Sequence, residues 1–251
     1  MIFRQLFEAE SSTFTYLLGS PDTGDAVLID PVLETVERDL EIISELELTL
    51  RFTLDTHIHA DHLTGARKLR ALVGCKIAVP AMDRIACADV GVEEGKPFMI
   101  GGLRIDPLFT PGHTDTHHAY LLDRGSCARI FTGDALLIDG CGRTDFQGGS
   151  ATRLYASVRD KLFALPPDTL VFPAHDYHGR RVSTVQQERT RNPRLKDGTS
   201  LDAFAQLMRE LDLPYPKKMD VAVPANQQCG QCPKELVESM QAICEPSVQG
   251  S

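Results

Sequence analysis

The chain has 251 residues, 42% hydrophobic and 24% charged, the make-up of an ordinary water-soluble globule that can bury a sizeable core. A net charge of -9 argues against a nucleic-acid partner, which rewards clustered Lys and Arg, and the longest basic run is only "HGRR". No apolar stretch reaches the roughly 18–20 residues of a membrane span, and the opening "MIFRQLFEAESSTFTYLL", broken by Glu8 and Glu10, reads as neither a signal nor a transit peptide.

In chain order, strands are expected at "IFRQLF", "FTYLLGS" and "AVLIDP", followed by a helical pattern over residues 33–46. The strand "TLRFTLD", a helix over residues 64–73 and the strand "KIAVP" come next. Residues 98–110 read as a hairpin turned at Gly101-Gly102, and "HAYLLD" and "ARIFTGDALLI" continue the β character. A helix over 151–165 and the strand "TLVFPAHD" precede two further helical stretches, 183–190 and 200–211. The pattern predicts two sheets covered by helices, an α/β chain folded as an αββα sandwich. Residues after about 215 are Pro-rich and weakly patterned, and are expected to wrap as a tail. The division is read as a catalytic domain over 1–230 and a C-terminal tail over 231–251.

All eight histidines fall into three segments. "LDTHIHADHLTGA" places His57, His59 and His62 beside Asp55 and Asp61; "TPGHTDTHHAY" holds His113, His117 and His118; "FPAHDYHG" holds His175 and His178. Each motif follows an expected strand, and Asp134 follows "RIFTG" in the same way. Loops at one end of a sheet can converge on a shared pocket while the strands hold them rigid. The candidate ligands are His57, His59, Asp61, His62, His113, Asp134 and His175. Imidazole and carboxylate suit Zn, Fe and Mn, and no cysteine lies in these loops. Seven ligands exceed the four of one tetrahedral ion. Either two metals share the site, or one metal uses a subset and the rest surround it. Singly, "HxH", "GHT" and "GD" are weak signals that turns and surface residues produce; in this order after four strands they point to a metal site. His117, His118 and His178 do not complete the pattern and read as lining or surface residues.

The constellation "THIHADH … PGHT … TGD … PAH" resembles the metallo-β-lactamase superfamily, which implies the αββα sandwich with metal held at one edge. The carboxylate of "TGD" is closer to its thioesterase branch, which includes glyoxalase II, a two-metal hydrolase of glutathione thioesters. The stretches "LIDGCGRTDFQGG", "PAHDYHG", "ERTRNPRL" and "VAVPANQQCG", with "FTYLLGS" and "AVLIDPVLETVERD" near the start, resemble the persulfide dioxygenases of the ethylmalonic-encephalopathy type. That similarity runs from about residue 2 to about residue 230. Glyoxalase II carries a longer helical C-terminal domain, whereas 76 residues follow His175 here.

The resemblance implies one non-haem Fe(II) per chain, held by His57, His113 and Asp134, with about three coordination positions open. It makes His59, Asp61, His62 and His175 surroundings of the iron or a vestige of a second metal site. The implied reaction is sulfide-oxidation chemistry: glutathione persulfide, O₂ and water giving sulfite and glutathione. Arg143 and Tyr177 are the implied substrate contacts, since the guanidinium fork suits a glutathione carboxylate. For Arg143 the competing role is a salt bridge with Asp145. Arg194 is a weaker candidate that could instead pin its helix, and Cys141 could sense oxidation or simply pack. The glyoxalase II-type hydrolase and a non-catalytic metal-binding module are the alternatives. A homodimer is compatible with the reading, and no nucleic acid or membrane partner is expected.

Seven cysteines, scattered at 75, 87, 127, 141, 229, 232 and 244, make no disulfide framework and read as reduced thiols of a cytoplasmic protein. "CGQC" (Cys229 to Cys232) is expected to be an exposed feature of the tail rather than a zinc or redox site.

Overall fold

The computed structural model describes residues 1–123 and 128–232. The first half of the chain builds a six-stranded sheet in sequence order from β1 (Ile2–Glu8), β2 (Thr13–Gly19), β3 (Asp25–Ile29), β4 (Thr49–Leu54), β5 (Lys76–Pro80) and β6 (Val90–Val92). The first three strands pair antiparallel and the rest parallel. The second half builds a six-stranded partner from β7 (Phe98–Ile100), β8 (Leu103–Phe109), β9 (His118–Leu122), β10 (Arg129–Gly133), β11 (Leu170–Pro173) and β12 (Ser183–Thr184). Here only β10 and β11 run parallel.

Strand side chains alternate faces, so a strand buried on both sides is apolar throughout and feeds two cores. In β2, Tyr16 and Leu18 join Phe131, Phe172, Tyr120 and Leu122 of the second sheet between the layers. Leu17 points the other way, to Val36 and Ile43 of α1 (Val36–Glu45) and Leu69 of α2 (Ala66–Val73). The second sheet repeats the arrangement. Leu121, Ile130 and Val171 face Leu154 of α3 (Ala151–Ala156), Val185 of α4 (Val185–Arg191), and Phe204 and Met208 of α5 (Leu201–Glu210). This is the αββα sandwich that the patterning predicts.

Three helices start on a hydroxyl cap, Ser150, Thr184 and Ser200, each accepting from the backbone N–H three residues on. The cap explains one boundary shift. The helix expected over 183–190 begins at Val185, because Ser183 and Thr184 pair with β11 before Thr184 caps it. The helix expected over 151–165 is α3 continued by a π-helical turn, Ser157–Leu162.

Two expectations are corrected. Residues after 215 are not merely a wrapping tail, because Met219–Asn226 form a buried helix, α6, with Met219, Val221, Ala222, Ala225 and Asn226 all inside. The helix is short, Pro224 sits within it, and its buried Asn226 and half-buried Val223 blur the apolar face, so no clear amphipathic stripe is there to read. The cysteines are not all reduced thiols. Cys87 and Cys229 form a disulfide across 142 residues of sequence. Cys229 is 2% exposed and packs with Ala66, Ile77 and Val79, so this end of CGQC is interior rather than exposed. Cys75 and Cys141 are buried free thiols. Most of the tail expected over 231–251 lies outside the described residues.

Candidate metal centre

The strand ends bring the predicted residues together. His57, His59, Asp61 and His62 follow β4, His113 follows β8, Asp134 follows β10 and His175 follows β11. His57, His113 and Asp134 offer ligand atoms within 4.8 Å of one another, and so, separately, do His59, Asp61 and His62. His57, His59 and His62 are buried, His113 and Asp134 are largely covered, and Asp61 is half-buried. His175 joins them, its Nε2 3.5 Å from Asp134 Oδ1 and 3.5 Å from Asp61 Oδ2.

The tautomers follow from the outer partners. A carbonyl oxygen can only accept, so His113 Nδ1, 2.8 Å from Arg143 O, carries the proton and leaves Nε2 bare. His175 Nδ1 donates to Ser12 O in the same way. The Thr56 hydroxyl donates to Asp30 Oδ2 and so accepts from His57 Nδ1, again freeing Nε2. Ionised Asp61 accepts from His62 Nδ1, and Asp30 accepts from His59 Nε2, which turns His59 Nδ1 inward. His59 Nδ1, His62 Nε2 and Asp134 Oδ1 are buried without a hydrogen-bond partner. Five inward-facing ring nitrogens and the Asp61 and Asp134 carboxylates therefore share a small volume, and three of these atoms, His59 Nδ1, His62 Nε2 and Asp134 Oδ1, find no donor there. That arrangement is costly unless a cation fills it, and outer partners that fix the rings are what metal-bound histidines require.

The electrostatics agree. Burial, with the neighbouring imidazoles adding to it, holds His57 well below the ordinary histidine value. Burial lowers His62 as well. Burial opposes charge on His59, but the Asp30 carboxylate lifts it to about 9. His175 is raised against burial by Asp134 and Asp61. Burial also penalises the Asp61 carboxylate, yet His62 and His175 keep it well below the usual range. The site draws protons to the places a divalent cation would take, and binding such a cation would release them.

A cavity of about 720 Å³ opens above the centre, floored by Asp61, His113, Asp134 and His175. Its size suits a tripeptide-sized ligand. One wall is the 137–143 loop, gripped from behind by the "ERTRNPRL" segment. Glu188 accepts from Asp139 N, Asn192 Nδ2 donates to Gly140 O, and Arg194 donates to Cys141 O. Arg194 thus pins its segment to the cavity wall while lining the cavity. Arg143 lines it too, but its guanidinium pairs two-pronged with Asp145 at 2.7 Å and donates to Pro214 O. Tyr177, 67% exposed, stacks on His175 at the mouth. Burial raises the Cys141 thiol to about 11, and its sulfur packs on Met208, as a core thiol does.

His117 is more than a lining residue. Its Nε2 accepts from Asp134 N at 3.1 Å, so its Nδ1 carries the proton toward Thr110 Oγ1 at 2.9 Å. It therefore holds the backbone that presents the Asp134 carboxylate. Gly133 has φ +49, and a Cβ there would collide with His117 Nε2, so only glycine fits. His118 packs on Phe109 with Nδ1 on Thr116 O, and His178 is exposed at the cavity rim.

Sequence reasoning missed Asp30, Thr56, the role of His117 and the Arg143 carbonyl. Asp30 left one signal, a carboxylate ending the otherwise apolar strand "AVLI". The carbonyl leaves none, because every residue has one.

The metallo-β-lactamase superfamily matches residues 10–175 of the chain. The persulfide dioxygenase ETHE1 of Homo sapiens, named as mitochondrial, is 50% identical over 231 residues, covering 92% of this chain and 89% of that one. The cytoplasmic hydroxyacylglutathione hydrolase of Arabidopsis thaliana is 31% identical over 205 residues, covering 80% of this chain and 77% of that one. The crystal structure of ETHE1 from Myxococcus xanthus superposes with a TM-score of 0.88 at 50% identity, covering 92% of this chain and all of that one.

Proposed function

The chain belongs to the metallo-β-lactamase superfamily and, within it, to the persulfide dioxygenases, and from that premise we propose that it oxidises glutathione persulfide with O₂ at one Fe(II) held by His57, His113 and Asp134. The overall change is glutathione persulfide, O₂ and water giving glutathione and sulfite, a step of sulfide oxidation. The observation that carries the metal assignment is the set of inward ring nitrogens whose opposite nitrogens are all engaged. Two imidazoles and one carboxylate on one face would let Fe(II) supply open positions and redox chemistry for joining a persulfide sulfur to O₂.

The remaining work falls to the protein. Thr56 and the Arg143 carbonyl keep the lone pairs of His57 and His113 aimed inward, so no ring need turn when metal enters. His117 does the same for Asp134 through the backbone. The 720 Å³ cavity receives the glutathione body and excludes much of the water around the sulfur. Arg143 is the proposed partner of a glutathione carboxylate, its approach fixed by Asp145 and Pro214 O. Tyr177 offers its hydroxyl at the rim, where its stacking on His175 sets the ring plane.

His59, Asp61, His62 and His175 remain close enough for a second ion, so ligand geometry alone does not exclude a two-metal hydrolase. Identity decides between the branches, 50% with the dioxygenase against 31% with the hydrolase. For location, the odd number of scattered cysteines supports the cytoplasm. No helix among the described residues is long and apolar enough to cross a membrane. The Cys87–Cys229 disulfide and the mitochondrial name of the human relative pull the other way, and cell fractionation tests it.

The functional test is anaerobic reloading with Fe(II), then O₂ uptake and sulfite assay. Uptake should require persulfide and release sulfite, while S-lactoylglutathione should be cleaved slowly or not at all. Rapid thioester hydrolysis by the zinc form, with no sulfite from the iron form, would transfer the chain to the hydrolase reading.

A further inference from the structure

The stretch "VAVPANQQCG" takes no part in the site as described, yet it lies directly against the metal loop. Asn226, at the end of α6, is 4% exposed. Its Nδ2 donates to the carbonyls of His59 and His62, both at 2.9 Å, and its Oδ1 accepts from Thr64 N at 2.9 Å. Both N–H groups and the oxygen are used, and the partners fix which way the amide faces. One side chain, more than 160 residues downstream, thus bridges three backbone groups of residues 59–64.

The segment that carries Asn226 is itself fastened to this region. Leu63 packs on Ala222 and Ala225. Arg67 N donates to Cys229 O, and Gly230, with φ +88, sits so close to Thr64 O that a Cβ would overlap it. The Cys87–Cys229 disulfide ties the same end to the loop before β6.

We infer that Asn226 is a positioning residue for the metal loop: through the carbonyls of His59 and His62 it fixes the path of residues 59–64 and, with it, the inward aim of those imidazoles. Asn226 touches no candidate ligand atom, so its effect passes through the backbone. The inference rests on the reading of this loop as part of a metal centre. Asn226→Asp tests it, because the carboxylate still accepts from Thr64 N but presents oxygen where two carbonyls need a donor. Val221→Ala is the comparison, a buried truncation on the same helix that leaves the amide in place.

Metal-free, full-length protein is titrated with Co(II) well below the unfolding temperature, following affinity and the visible absorption of the cobalt form. Asn226→Asp should weaken cobalt binding about 10- to 100-fold and change the spectrum. Val221→Ala should lower the melting temperature while leaving both unchanged. Wild-type affinity and spectrum in folded Asn226→Asp would overturn the inference, and so would an equal loss of affinity in Val221→Ala. If Asn226→Asp does not fold, Asn226→Ser carries the same comparison, since a serine hydroxyl cannot span both carbonyls. A wild-type protein that takes up no cobalt would instead remove the metal-centre reading beneath it.

Discussion

At the scale of single residues, the centre is specified by what each ligand's far side touches. The proposed set of three protein ligands leaves no redundancy, so on that proposal replacing His57, His113 or Asp134 by Ala should strip most of the iron and the activity. Metal analysis of each purified variant checks this, and full iron content in His57→Ala would refute the assignment. Thr56→Val should be milder. It removes the hydroxyl that links His57 Nδ1 to Asp30, and iron affinity should fall about 10- to 100-fold. Arg143→Ala should keep its iron, because the backbone carbonyl that holds His113 stays in place. Losing a charge-assisted contact costs about 1.5 to 3 kcal/mol, so kcat/KM for glutathione persulfide should fall about 10- to 100-fold. Unchanged kinetics would leave Arg143 with its Asp145 salt bridge as its whole role. The cluster of candidate histidines and aspartates was legible because its motifs each follow an expected strand, and the structure brings them together. The residues that hold them were not, since Thr56, Asp30 and Asn226 look like ordinary turn or core residues until the fold brings the first two to the rings and Asn226 to the loop backbone.

At the scale of elements, the sandwich was legible because buried strands must be apolar on both faces and the sequence shows it strand after strand. α6 was missed because eight residues with an internal proline and a buried Asn226 give no clear periodic stripe. The loop after β11 shows how an element end is made rigid. Asp176, 4% exposed, accepts from the backbone N–H of His178 and Arg180 and from the Arg180 guanidinium, closing a tight turn beside Tyr177. Burial opposes its charge, yet these hydrogen bonds hold it below the usual carboxylate value. A depressed folded value means the turn's contribution is fully present above the unfolded value of about 3.8 and is lost as pH falls through the folded one. Asp176→Asn loses the ionic half of the pairing. It should cost about 1 to 3 kcal/mol of stability and raise KM more than it lowers kcat, because Tyr177 rather than a metal ligand is displaced. Thermal unfolding and steady-state kinetics test both parts. An iron-depleted Asp176→Asn would show instead that the turn supports His175.

At the scale of the whole molecule, the disulfide matters for what it encloses. Cys87 lies before β6 and Cys229 just after α6, so the bond closes a loop that contains the entire second sheet and all the helices over it. Such a cross-link stabilises chiefly by restricting the unfolded chain, and the gain grows slowly with loop length. For a separation of 142 residues the gain should be about 2 to 5 kcal/mol. A chain of this size shifts its melting temperature about 2 to 4 °C per kcal/mol. Cys87→Ala should therefore melt about 4 to 20 °C below the oxidised wild type, and adding a thiol reductant to the wild type should close that gap. The reduced protein at room temperature should keep the two sheets and the iron, because neither sheet nor any of His57, His113 and Asp134 is held by the sulfur. Identical melting of oxidised wild type and Cys87→Ala would mean that the bond is absent in solution. The Asn226 hydrogen bonds, the packing of Leu63 on Ala222 and Ala225, and the Arg67 N–Cys229 O bond would then hold α6 against the metal loop without the sulfur link.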